Sequence, residues 1–183
     1  DQEEAGAISD RLMKDFLQAV QHIRKERFLM VGLRWDLDFK EPINFDDGQW
    51  ENQLRARLSK YGKLHPGGGA DYFIFPHGLY DNIPPFAIGR SAWDNWLIYR
   101  ARALRVPVID TTAAIISVHQ NHDYSHHPQG TAGVWEGPES KRNGELMGGI
   151  DNGFTLEYAT ALLTPLGLKP ALTMRHIYFR MRA

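Results

Sequence analysis

The chain has 183 residues, 43% of them apolar, which is enough to build one buried core. Its 21 Lys and Arg nearly balance 22 Asp and Glu, and a net charge of -1 gives no electrostatic reason to expect nucleic acid or an acidic membrane surface as a partner. Cysteine is absent, so disulfides do not staple the fold, and no apolar run approaches the roughly 20 residues of a membrane span. The opening DQEEAGAISD has neither the basic region nor the apolar stretch of a signal peptide, and a cytoplasmic location is the expectation.

Apolar residues at Leu12, Phe16, Ala19, Val20 and Ile23, spaced by three and four, predict an amphipathic helix over 8–23, with Ser9 or Asp10 as its N-cap. The charged run 24–27 suits the negative pole of that helix. Residues 28–32 read as a short buried strand. In the following segment, 33–38, Arg34, Asp36 and Asp38 alternate with Trp35 and Leu37, as a strand with one polar face requires. There Arg34 either pairs with Asp36 or Asp38 at a sheet edge, or the two carboxylates lie near a ligand. A loop over 39–48 leads to a second amphipathic helix, 50–61, apolar at Leu54 and Leu58 and closed by Gly62.

The triple glycine Gly67-Gly68-Gly69 is followed by no Lys-Ser/Thr and by a strand instead of a helix, so it reads as a loop more readily than as a phosphate cradle. Residues 70–75 form a strand with an aromatic face, and the turn after it carries His77. From Pro84-Pro85 the chain passes Gly89-Arg90 into Trp93, Asp94, Asn95 and Trp96, which open an apolar-periodic helix with Asp94 in its first turn. There a carboxylate is stabilised by exposed N–H groups. Asp94 is thus a capping acid or a site residue. Trp93 and Trp96 are platforms for sugar faces or core residues, and Asn95 and Arg90 can bond hydroxyls or phosphate.

Two strands are predicted next, 106–109 and 113–118, both rich in β-branched residues. The second runs into His119, His122, Asp123, His126 and His127, side chains able to ligate a metal but equally at home in a polar loop. Further on, 135–138 reads as a turn, 139–147 as a short polar helix, 154–163 as a strand or helix covering the sheet, and 165–168 as a loop. The tail 173–183 is basic and aromatic. The whole is one α/β domain, a mixed sheet flanked by helices, with its core over 7–135 and a covering segment over 136–183. An incomplete sheet would leave an open edge for a second copy of the chain.

A helix-borne acid, two strands and a histidine-rich exit resemble the carboxyl half of a GT-A-fold glycosyltransferase. The wording DYFIFPHGLY, PPFAIGR, WDNWLIYRAR and HQNHDYSHHP is similar to a group of bacterial sugar-transferase-like proteins over about residues 7–135. The resemblance implies a truncated GT-A domain that transfers a sugar from a nucleotide-sugar to a glycan or other hydroxyl acceptor. In it Asp94 is the catalytic base, and Arg90, Trp93 and Asn95 position the acceptor. A divalent Mn or Mg ion would sit on His119 with His122 and Asp10, and residues 34–38 would flank the donor. Ile8-Ser9-Asp10 falls where the family carries its acidic metal motif, so the resemblance implies either a fragment of a glycosyltransferase or a shortened relative that has lost turnover. A metal-dependent hydrolase using the histidine-rich loop, or a non-catalytic sugar- or protein-binding module, are the alternatives.

Overall fold

A computed structural model describes residues 27–125, 127–164 and 166–181. The predicted helix over 8–23, its cap and Asp10 lie outside the described residues, as does His126. What is described is an α/β fold built on an open, mixed, seven-stranded sheet.

The central strand β1, Leu29–Leu37, merges the two predicted segments 28–32 and 33–38 into one. Its first half is fully buried and its second half-buried. On one side it pairs antiparallel with β2, Lys63–Leu64, and β3, Ala70–Ile74. On the other it pairs parallel with β4, Val108–Asp110, and β5, Ser117–Gln120. The sheet continues through β6, Ala161–Thr164, parallel to β4, and ends on β7, Gly167–Pro170, antiparallel to β6. Residues after 154 therefore add two strands to the sheet, where a covering element was expected, and Gly167 and Leu168 of the predicted loop over 165–168 lie in β7.

Because side chains alternate along a strand, β1 serves both faces of the sheet. Leu29 and Val31 pack with Ile98, Ala101 and Val106. Met30 packs with Phe28, Ile109 and Leu163 on the opposite face. The helices are α1, Trp50–Tyr61; α2, Trp93–Ala103; α3, Gly130–Glu136; α4, Pro138–Met147; and α5, Met174–Arg180. Helix α2 buries Trp96, Leu97, Ile98 and Ala101, the stripe its sequence spacing predicts. Trp135 and Glu136 end helix α3 where a turn was expected, with only Gly137 between α3 and α4.

The strand predicted over 113–118 is displaced. Asp110 Oδ1 accepts from the Thr112 backbone N–H at 2.9 Å and from its hydroxyl at 2.6 Å, which turns the chain at the end of β4. The Thr112 hydroxyl oxygen then accepts the Leu33 N–H at 2.9 Å, standing in for a strand partner across the gap. Pairing resumes at Ser117, and His119 consequently lies within β5, opposite Asp36, not beyond a strand end.

Close packing of β1 against β3 depends on Gly32. A Cβ there would meet the Tyr72 ring, with Cζ at 2.9 Å, and the Thr112 backbone nitrogen at 3.1 Å. Since Tyr72 is anchored by its hydroxyl to Thr111 Oγ1 at 2.8 Å, neither neighbour can yield cheaply. Gly32→Ala is expected to lower unfolding free energy by about 1–3 kcal/mol, the usual cost of overpacking. Chemical denaturation against the parent chain measures it.

Candidate functional site

The polar face of β1 carries a continuous ladder of charges across three strands. His65 Nδ1 lies 2.6 Å from Asp36 Oδ2, and Arg34 Nε donates to Asp36 Oδ1 at 3.0 Å. Arg34 Nη1 donates to Asp71 Oδ1 at 2.9 Å, and Asp71 Oδ2 lies 2.9 Å from His119 Nδ1. The Arg34–Asp36 pair expected from the alternation is present, but in mid-sheet, since β1 is paired on both sides here. Asp71 reaches the ladder because the β1–β3 register slips by one residue between Val31 and Leu33. Such a bulge re-aims a side chain that regular alternation would commit to one face.

Burial pushes the Asp36 carboxyl up, but His65 and Arg34 together outweigh it and hold the group below its ordinary 3.8. A carboxyl whose pKa is lowered on folding stabilises the fold fully above its unfolded value, and that stabilisation is lost as pH falls through the lowered folded value. Asp36→Asn is therefore expected to flatten the acid limb of the thermal midpoint between about pH 2 and pH 5 while changing its slope little at pH 7.

Beside the ladder lies an open cavity of about 350 Å³. Its walls are Phe73 and Phe75 of the β3 segment, Phe86 and Ile88 of the following loop, and Trp93 and Leu97 of α2. Asp71 is the one charged residue on its lining. Trp93 packs edge-on to Phe73 at 5.4 Å, whereas Trp96 is buried in the core. The two tryptophans thus divide, Trp93 to the cavity and Trp96 to the interior.

Asp94 follows Trp93 in the first turn of α2 and is half-buried. Its Oδ1 accepts from the Asn95 backbone N–H at 2.9 Å. Burial is the main influence and raises its pKa. Hydrogen bonds from the Asn95 N–H and its own N–H pull the other way, Asp71 raises it and Arg34 lowers it, leaving the carboxyl above its ordinary value. A carboxylate in this state is a better base than a solvated one.

The remaining expected residues are differently engaged. Arg90 Nε donates to Glu139 Oε2 at 2.8 Å, and Asn95 Nδ2 donates to the Phe154 carbonyl at 3.0 Å. Both hold the surroundings of α2 in place. His119 and His122 lie with ring centroids 5.5 Å apart, and the His122 ring meets Tyr124 edge-on at 4.5 Å. His127 Nδ1 accepts the Gln129 N–H ahead of α3, and Asp123 accepts the Ser125 N–H, which holds its carboxyl below the ordinary range. His77 is an exposed loop residue.

The cavity wall is fastened from behind by α4. Asn143, fully buried, accepts the Ala87 N–H at 2.9 Å and donates to the carbonyls of Ala87 at 2.9 Å and Ser91 at 3.0 Å. Arg142 donates to the Pro85 carbonyl at 2.8 Å, and Glu139 takes Arg90. Sequence reasoning reached Asp94, Trp93 and His119 but missed Asp71 and Asn143. An acid inside an aromatic strand was a visible signal for Asp71. Nothing local distinguishes Asn143 from any polar residue on a polar helix.

Comparison with protein-family models, with curated proteins and with solved structures finds no match to this chain. Among the described residues no helix is long and apolar enough to cross a membrane.

Proposed function

We infer that the chain is a glycosyltransferase-like protein in which Asp94 takes the proton of an acceptor hydroxyl as that oxygen attacks the sugar of a nucleotide-sugar. The observation that carries this reading is the placement of Asp94: a half-buried carboxylate of raised pKa, on the helix that lines an aromatic cavity. A general base works best when its pKa is brought toward the operating pH, and burial does that here. The resemblance of WDNWLIYRAR and HQNHDYSHHP to GT-A transferases assigns the same residue the same role.

In this reaction the acceptor O–H donates to the Asp94 carboxylate while its oxygen bonds to the anomeric carbon. The bond from that carbon to the diphosphate breaks, and the electron pair leaves with the diphosphate. In-line displacement at one centre inverts its configuration. Trp93 offers its ring to the acceptor, and Asp71, held by Arg34 and His119, brings a carboxylate to the lining of the same cavity.

The resemblance also implies Mn or Mg. Of the expected ligands Asp10 lies outside the described residues, and among those described no three His, Asp or Glu side chains gather as a metal site. His119 turns Nδ1 to Asp71, leaving with His122 a pair of nitrogen donors where these ions prefer mostly oxygen. The described donors do not fit the ion, and proton transfer at Asp94 stands apart from it.

Incubating the chain with uridine-, guanosine- and thymidine-diphosphate sugars and hydroxyl acceptors, with and without Mn or Mg, tests the reading by mass spectrometry of the products. A glycosylated acceptor formed from one donor is the expected result. Release of product without any nucleotide-sugar would favour a hydrolase, and no transfer with any donor would overturn the proposal.

A further inference from the structure

We propose that the cavity beside Asp94 receives the apolar body of an amphipathic alcohol, so that the acceptor is a hydroxyl carried on an apolar scaffold and not a free polar sugar. This rests on the transferase reading above and narrows its substrate. The cavity is almost without polar partners. Phe73, Phe75, Phe86, Ile88, Trp93 and Leu97 offer carbon, and further along the rim Ile83 and two prolines do the same. Among the described lining residues only Tyr72 and the Trp93 indole N–H are neutral hydrogen-bonding groups, and the Tyr72 hydroxyl is engaged with Thr111 Oγ1 at 2.8 Å. Burial pushes that phenol up to about 12, so it stays neutral.

A free sugar entering here would leave most of its hydroxyls without partners, which opposes binding. An alkyl, terpenoid or aryl body would be matched on nearly every side. Charge enters the described lining through Asp71 alone, and Asp94, which follows the lining Trp93 in the chain without itself lining the cavity, lies within reach of that charge. Two carboxylates accept hydrogen bonds from hydroxyls and repel an anionic head group, so the polar end of the ligand is an uncharged alcohol. The orientation follows: hydroxyl toward the two acids, carbon toward the rim. Ile88, 70% exposed, sits at that rim, where a longer apolar body would pass out to solvent.

The test uses the full chain and three ligands: methyl glucoside, hexyl glucoside below its micellar concentration, and 1-hexanol, titrated calorimetrically. Hexyl glucoside, hexanol or both are expected to bind at least about tenfold more tightly than methyl glucoside. Which of them does so separates a glycolipid-like acceptor from a simple apolar alcohol. Ile88→Asp, at an exposed position that leaves the core untouched, is expected to erase the preference, and Asp94→Asn to leave it in place. Equal or absent binding of all three, or a preference that survives Ile88→Asp, overturns the proposal. Sugar transfer to methyl glucoside as efficient as to hexyl glucoside would overturn it while leaving the transferase reading intact. A preference lost in Ile88→Asp, with no transfer from any nucleotide-sugar, would instead remove the transferase reading and with it the acceptor role.

Discussion

Asp94→Asn is expected to slow sugar transfer by about 100- to 10,000-fold, the range a positioned general base contributes, and at the same time to make the protein more resistant to heat at neutral pH. The two effects share one cause. Burial raises the Asp94 pKa, so the ionised carboxylate is less comfortable in the folded chain than in the unfolded one. For a carboxyl whose pKa rises on folding, the penalty is absent below the unfolded value, grows as pH rises through the folded value, and is constant above it. Asparagine keeps an oxygen to accept the Asn95 N–H but carries no charge, so it removes the penalty and the base together. Melting curves from about pH 4 to pH 8 should converge for parent and variant at the acid end and separate as pH rises. A variant that loses heat resistance at pH 8, or transfers at the parental rate, would show Asp94 to be a capping acid and nothing more.

Asn143→Ala is expected to cost about 2–4 kcal/mol of unfolding free energy, the sum of a vacated buried site and backbone groups deprived of partners. Asn143 makes three hydrogen bonds to the stretch between Ala87 and Ser91. The same stretch carries Ile88 and follows Phe86, two walls of the cavity. Denaturant titration should therefore report lost stability, and calorimetry on the still-folded variant should report a weaker grip on an apolar ligand. Asn143→Asp is a useful companion: it retains the acceptor for the Ala87 N–H but loses both donations to carbonyls, and so should fall on the damaged side.

The elements that were legible in the sequence are those whose period and punctuation agree. Helix α1 over Trp50–Tyr61 ends at Gly62 as read, and helix α2 shows both its apolar stripe and its first-turn acid. The long central strand was seen in two pieces because its first half, buried on both faces, reads as continuous apolar and its second half alternates. The break between β4 and β5 was foreseen, but its length was hidden because Ala113 to Val118 has strand composition. A carboxylate at Asp110 and a hydroxyl at Thr112 decide the turn through contacts that periodicity does not record. Helix α3 was obscured by its glycines. For the site, Asp94, Trp93 and His119 were identified by residue type, whereas the ladder was only half visible. Arg34 and Asp36 are neighbours in sequence, but Asp71, His65 and His119 join them only through strand register and a bulge.

That same central strand sets the order in which the chain can acquire its structure. Among the described residues every pairing of β1 is with residues far downstream, from Lys63 and Ile74 to Val108 and Gln120. Closing such long loops is slow, so refolding should be a matter of milliseconds to seconds, not microseconds. On the ribosome, Leu29, Met30 and Val31 emerge long before their parallel partners. Until residue 120 or so has been made, one edge of this central strand waits unpaired.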